Sequence, residues 1–170
     1  YNMILSKPKL NLRFIPIIYD QNKVKINYSL INHSDIRFTF FGGLKGCGKD
    51  EKWKYLNSID FIKDRLYPVY NIWSDKSFDQ FLSRPGICIF INLHNTLYKN
   101  KIALETVRIN KLLGIKAIIL SEHSDSVDEK DYHDLVYFHN IEEMETRLRY
   151  LLNLSTDELK EIAENIYIKF

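Results

Sequence analysis

Two polar clusters stand out because each directly follows an apolar run. Ile87–Ile91 leads into Asn92, Leu93, His94 and Asn95, and Ile115–Leu120 leads into Ser121, Glu122 and His123. Amides, an imidazole, a hydroxyl and a carboxylate are groups that hydrogen-bond sugars, bases and phosphates, and strand ends are where open α/β sheets hold ligands. Between the clusters, Glu105 and Arg108 stand three residues apart, on one face of an expected helix. A carboxylate in the first turns of that helix could accept two hydrogen bonds from a ribose diol. It would equally suit the helix dipole, with Arg108 as its local ion-pair partner. His94 fits either a hydrogen-bonded structural role or a catalytic one, while His133 and His139 read as surface residues.

A glycine-rich turn adds a third candidate. Gly43-Leu44-Lys45-Gly46-Cys47-Gly48-Lys49 fits G-x-x-x-x-G-K between an expected strand and an expected helix. The next residues are Asp50 and Glu51, where a phosphate-binding loop needs a hydroxyl for Mg²⁺. Their carboxylates would repel phosphate, so an NTP-hydrolysing loop is disfavoured. A milder expectation is that Gly42 and Gly43 let the backbone turn tightly against a ligand. The helix start near Lys49 would then face a diphosphate, with Lys45 or Lys49 adding charge. Gly46 and Gly48 also fit a plain flexible turn. No nucleophile elbow, histidine-rich metal pattern or G-x-G-x-x-G fingerprint is present.

The elements that must position these groups follow from periodicity. Strands are expected at residues 36–41, 67–73, 87–92, 115–120 and 135–138. Helices are expected at 49–63, 75–83, 101–113 (ended by Gly114), 141–152 and after Ser155, where S-x-x-E forms a capping box. The continuous apolar run at 87–91 is the pattern of a strand covered on both faces. Alternating strands and helices predict an α/β fold, a Rossmann-like three-layer sandwich with a parallel sheet and helices on both faces. Residues 1–30 read as a linker or hinge segment, and 31–170 as the domain with its C-terminal helix. Pro16 argues against a central strand in the apolar stretch Leu12–Tyr19.

The composition narrows the function classes. The 170 residues suit one large domain, and a net charge of +2 gives no reason to expect nucleic acid. The charge is uneven, +6 over residues 1–85 and −4 over 86–170, which suits an anionic ligand or simply a solvated face. Two cysteines, Cys47 and Cys88, make neither a disulfide framework nor a metal quartet, and reduced thiols point to a cytoplasmic protein. No apolar run is long enough to span a membrane. The chain begins at Tyr1 without an initiator Met, as a domain cut from a longer protein would. The acidic stretch 125–134 lacks EF-hand spacing.

The order Phe40-Phe41-Gly42-Gly43, Ile91-Asn92-Leu93-His94, Leu104-Glu105-Thr106-Val107-Arg108-Ile109 and Ile119-Leu120-Ser121-Glu122 resembles the C-terminal half of GT-B glycosyltransferases. The likeness is to family 1/4-like and spore-coat-type members. It extends over roughly residues 14–165, with Pro16–Asp20 similar to the preceding hinge peptide. The resemblance implies a nucleotide-sugar donor site. In it Gly42 and Gly43 face the diphosphate, Asn92, His94 and Asn95 line the cleft, Glu105 holds the ribose, and Ser121 and Glu122 stand near base or sugar. Lys45 and Arg108 would add positive charge, and no metal or other cofactor is expected, because no D-x-D-like pair follows a strand. The chain departs from the family near Leu97-Tyr98, where the first carboxylate of its usual acidic pair is missing. The acceptor-binding half is also missing, so this domain alone should bind donor weakly and turn over poorly. Two alternatives stay open: a P-loop-like nucleotide-binding protein and a non-enzymatic α/β interaction module.

Overall fold

The computed structural model describes residues 25–40, 49–67, 74–94, 106–124 and 127–169. Four parallel strands form one sheet in the order β1 (Arg37–Phe40), β2 (Ile87–Asn92), β3 (Ile118–Glu122), β4 (Val136–Phe138). The described helices are α1 (Lys49–Ser58), α2 (Asp60–Lys63), α3 (Asp75–Leu82), α4 (Thr106–Leu113), α5 (Ile141–Asn153) and α6 (Thr156–Lys169). This is the α/β architecture expected from the strand–helix alternation.

Two hydrophobic layers explain why β2 carries no polar alternation: all six of its residues are buried. On one face Phe38, Ile89, Ile91, Ile118 and Leu120 meet Trp53 and Leu56 of α1, Met144, Leu148 and Leu151 of α5, and Leu159 and Ala163 of α6. On the other, Phe90 and Ile119 meet Phe78 and Phe81 of α3 and Ile109, Leu112 and Leu113 of α4. Each such side chain contributes about 1.5–3 kcal/mol by leaving water, so both faces must be covered. Tyr28, near the end of the expected linker, is buried in the first layer and donates its hydroxyl to the Lys116 carbonyl at 2.8 Å.

The helix ends are specified locally. Asn140 caps α5 by accepting from the Glu143 N–H at 2.8 Å. The predicted capping box forms at α6, where Glu158 accepts from the Ser155 N–H at 2.7 Å and Ser155 Oγ accepts from the Glu158 N–H at 3.3 Å. The end of α4 differs from expectation. Gly114 is not the left-handed residue; Lys116 is, at φ 59°. The Ala117 N–H reaches the Leu112 carbonyl and the Lys116 N–H the Leu113 carbonyl, a Schellman arrangement centred on Lys116. It takes up Ile115–Ala117, so β3 starts at Ile118 rather than at Ile115. The expected helix 49–63 is likewise divided, at Ile59, whose backbone is extended.

One backbone bridge determines where a ligand crevice lies. The Phe38 N–H donates to the Arg65 carbonyl at 3.1 Å and the Tyr67 N–H to the Phe38 carbonyl at 3.0 Å, pairing Leu66 in parallel with Phe38. A strand residue points both backbone groups to the same side, so Leu66 lies on the edge of β1 opposite β2. The chain therefore leaves β1 in one direction and returns on its other side at β2. That reversal is a topological switch point, and its crevice opens at the carboxyl ends of β1 and β2. The rest of the expected strand 67–73 lies outside the described residues.

Candidate functional site

At the carboxyl end of β2, Asn92 is fully buried and in register with Ser121 of β3. Arg108 Nη1, from α4, donates to Asn92 Oδ1 at 2.8 Å, and Asn92 Nδ2 donates to Ser121 Oγ at 3.0 Å. Only the amide oxygen can accept from a guanidinium, which fixes the orientation of the amide. Ser121 Oγ in turn donates to the Glu122 carbonyl at 3.1 Å. Each member of this chain polarises the next, and the guanidinium is held at the switch-point end of the sheet.

A second link joins the same two strands one step further out. The Glu122 carboxylate accepts from the His94 backbone N–H at 3.0 Å. His94 Nε2 lies 2.6 Å from the Glu122 carbonyl, so Nε2 carries the proton. His94 is only 2% exposed, which makes it a buried brace between β2 and β3 rather than a group open to solvent.

The structure thus brings Asn92, His94, Arg108, Ser121 and Glu122 together at one end of the sheet. Gly42, Gly43, Lys45, Asn95 and Glu105 lie outside the described residues, as does the glycine turn up to Gly48. Thr39 of β1 stands on the same face as Phe90 and Asn92, by its pairing with Phe90. Its fully buried Oγ1 has no hydrogen-bond partner among the described residues.

Of a further group, the sequence marked His123 only as a polar residue at a strand end and His139 only as a surface residue. The His123 ring is stacked between Tyr137, at a centroid distance of 4.6 Å, and His139, at 3.8 Å. Its Nδ1 lies 3.1 Å from Glu129 Oε2, while Glu129 Oε1 accepts from the Ser124 N–H at 2.9 Å. Burial, with Glu129 and then Tyr132 as smaller influences, pushes the Tyr137 phenol well above its usual range, so it stays neutral. The available signal was parity: with Ser121 opposite Tyr137, continued alternation puts Ser121 and His123 on one face with Tyr137 and His139. Reading it requires the β3–β4 register, which no local pattern supplies.

Among the described residues no cluster of three or more His, Cys, Asp or Glu is arranged to hold a metal ion, and no helix is long and apolar enough to cross a membrane. No protein-family model, curated protein or solved structure matches the chain.

Proposed function

We propose that this chain is the nucleotide-sugar donor-binding half of a GT-B-like glycosyltransferase, which transfers a sugar to an acceptor held by a separate domain. The observation that carries this reading is the Arg108–Asn92–Ser121 chain at the carboxyl end of β2, next to the switch point. A cation fixed by a buried amide at a sheet's carboxyl edge attracts an anionic ligand and loses little entropy on meeting it. A nucleoside diphosphate is the anion that this edge of a doubly wound sheet suits. The Gly42–Gly43 turn would approach its phosphates and Glu105 its ribose, as the motif order suggests. Arg108 and the α1 start would offset the charge that develops on the leaving diphosphate.

Titration of the chain with UDP, GDP, dTDP and their hexose conjugates, followed by amide chemical shifts, tests the proposal. One nucleotide series binds, and Glu105→Ala weakens it. Magnesium-dependent ATP or GTP binding that is lost in Lys49→Ala but kept in Glu105→Ala would instead identify a P-loop-like protein. No perturbation by any nucleotide would leave an α/β interaction module.

A further inference from the structure

The rings at the ends of β3 and β4 form a stack that accommodates one positive charge but not two. The His123 ring lies against Tyr137, with centroids 4.6 Å apart and planes inclined by 22°, and against His139, at 3.8 Å and 11°. The strands fix this arrangement, because the His123 N–H donates to the carbonyl of Phe138, between the two ring-bearing residues, at 2.9 Å. Histidine changes its charge between about pH 5 and 8. A proton on His123 is well met. Glu129 Oε2 lies 3.1 Å from its Nδ1, and the Ser124 N–H holds the other carboxylate oxygen at 2.9 Å. An imidazolium there gains an ion pair at its edge and a ring over each face. A further proton on His139 would set two positive charges 3.8 Å apart, too close for salt to screen. It would also stand next to Asn140, the N-cap of α5, where the helix dipole disfavours a cation.

The groups facing the two imidazoles come from three elements. Glu129 belongs to the turn after β3, Tyr137 to β4, and Glu143 to α5. Glu143 accepts from the His139 backbone N–H at 2.8 Å and pairs with Arg147 at 3.3 Å. Tyr132 approaches only through its carbonyl, which accepts from the Tyr137 hydroxyl at 2.9 Å, and Glu122 is engaged by the His94 N–H. Tyr137 stays neutral, as burial dictates. The bond from the His139 N–H, and then Arg147, hold the Glu143 carboxyl below its usual range, so it stays charged. Between pH 5 and 8 the charge of the cluster thus turns on the imidazoles.

We propose that the His123–His139 stack is a pH-dependent latch, closed while it carries at most one proton, on His123, and opened when a second proton drives His139 out. His139 is the member able to leave, because it is exposed, whereas His123 is held by Glu129 and covered by Tyr137. Its departure uncovers a face of His123 at the carboxyl edge of the sheet and loosens the turn that leads into α5. The latch is independent of which ligand the crevice takes. The closed stack binds fewer protons than the two separated histidines of the unfolded chain, so stability falls as pH falls from about 6.5.

An acid titration of the full chain, followed in histidine ring proton–carbon spectra, tests the latch. His123 should take the first proton, and the second should bind more than about tenfold more weakly. Nuclear Overhauser contacts between the two rings should disappear as the second proton binds. In His139→Gln, His123 should titrate as a single site. The fall in melting temperature between about pH 7 and 5 should also be smaller than in the parent chain, a comparison in which the other histidines cancel. Glu129→Gln should weaken the first proton on His123 and leave the stack closed at neutral pH. Independent titration of the two rings in the parent chain would overturn the proposal. So would ring contacts that persist when both imidazoles are charged, or an undiminished acid loss in His139→Gln. Should a variant fail to fold, the titration of the parent chain decides the question by itself.

Discussion

Asn92 makes a quantitative prediction because it is the hinge pin of the polar chain. Its amide is fully buried and bonds a guanidinium on one side and a hydroxyl on the other, at 2.8 and 3.0 Å. Asn92→Ala removes a charge-assisted hydrogen bond, about 1.5–3 kcal/mol, and a neutral one, about 0.5–1.5 kcal/mol. A loss of roughly 2–4.5 kcal/mol stays below a stability of about 5–15 kcal/mol, so the variant folds. For a chain of this size the melting temperature should fall by roughly 5–15 °C. The share due to Arg108 is isolated by a double-mutant cycle with Arg108→Met, read by urea unfolding. The coupling energy should be about 1.5–3 kcal/mol. Additive single-variant effects, with coupling below about 0.5 kcal/mol, would refute the claim that Asn92 anchors the guanidinium.

Other substitutions probe the frame around the site. Thr39→Val replaces a buried hydroxyl that has no partner among the described residues by a methyl and should raise stability by about 1–2 kcal/mol in thermal unfolding, and a loss would mean that the hydroxyl is satisfied. Gly86→Ala should cost roughly 3–5 kcal/mol, because φ is 82° and a Cβ would lie 1.6 Å from the Asp35 carbonyl oxygen; a cost below about 1 kcal/mol would contradict that close approach. Cys88 is fully buried and burial pushes its thiol up to about 12, so iodoacetamide should label it in peptide maps only as fast as the chain unfolds, whereas rapid labelling of the native chain would show that β2 is open.

Legibility from sequence followed the range of the interaction. The β2 boundaries were readable because an uninterrupted apolar run of five residues, Ile87–Ile91, is the pattern of a doubly covered strand. The capping box at Ser155 was readable because its partners are three residues apart. The start of β3 was not, because a lysine rather than the neighbouring glycine takes the left-handed position after α4. The same divide runs through the site. Asn92, Ser121 and Glu122 were visible as polar residues at strand ends, and Arg108 as a residue of the following helix. That Arg108 meets Asn92 depends on how α4 lies on the sheet, and that His123 is stacked between Tyr137 and His139 depends on the β3–β4 register. The switch point itself rests on the single Leu66 bridge, and the strand expected at 67–73 does not say on which side of β1 it pairs.

The most direct test of the central claim is calorimetric titration of the chain with UDP, GDP and dTDP, beside their nucleosides, in the parent protein and in Arg108→Met and Glu105→Ala. The account predicts that one diphosphate binds more tightly than its nucleoside, that Arg108→Met removes most of that difference, and that Glu105→Ala weakens diphosphate and nucleoside alike. Absence of binding by all three diphosphates, or a preference for diphosphate untouched by Arg108→Met, would contradict it.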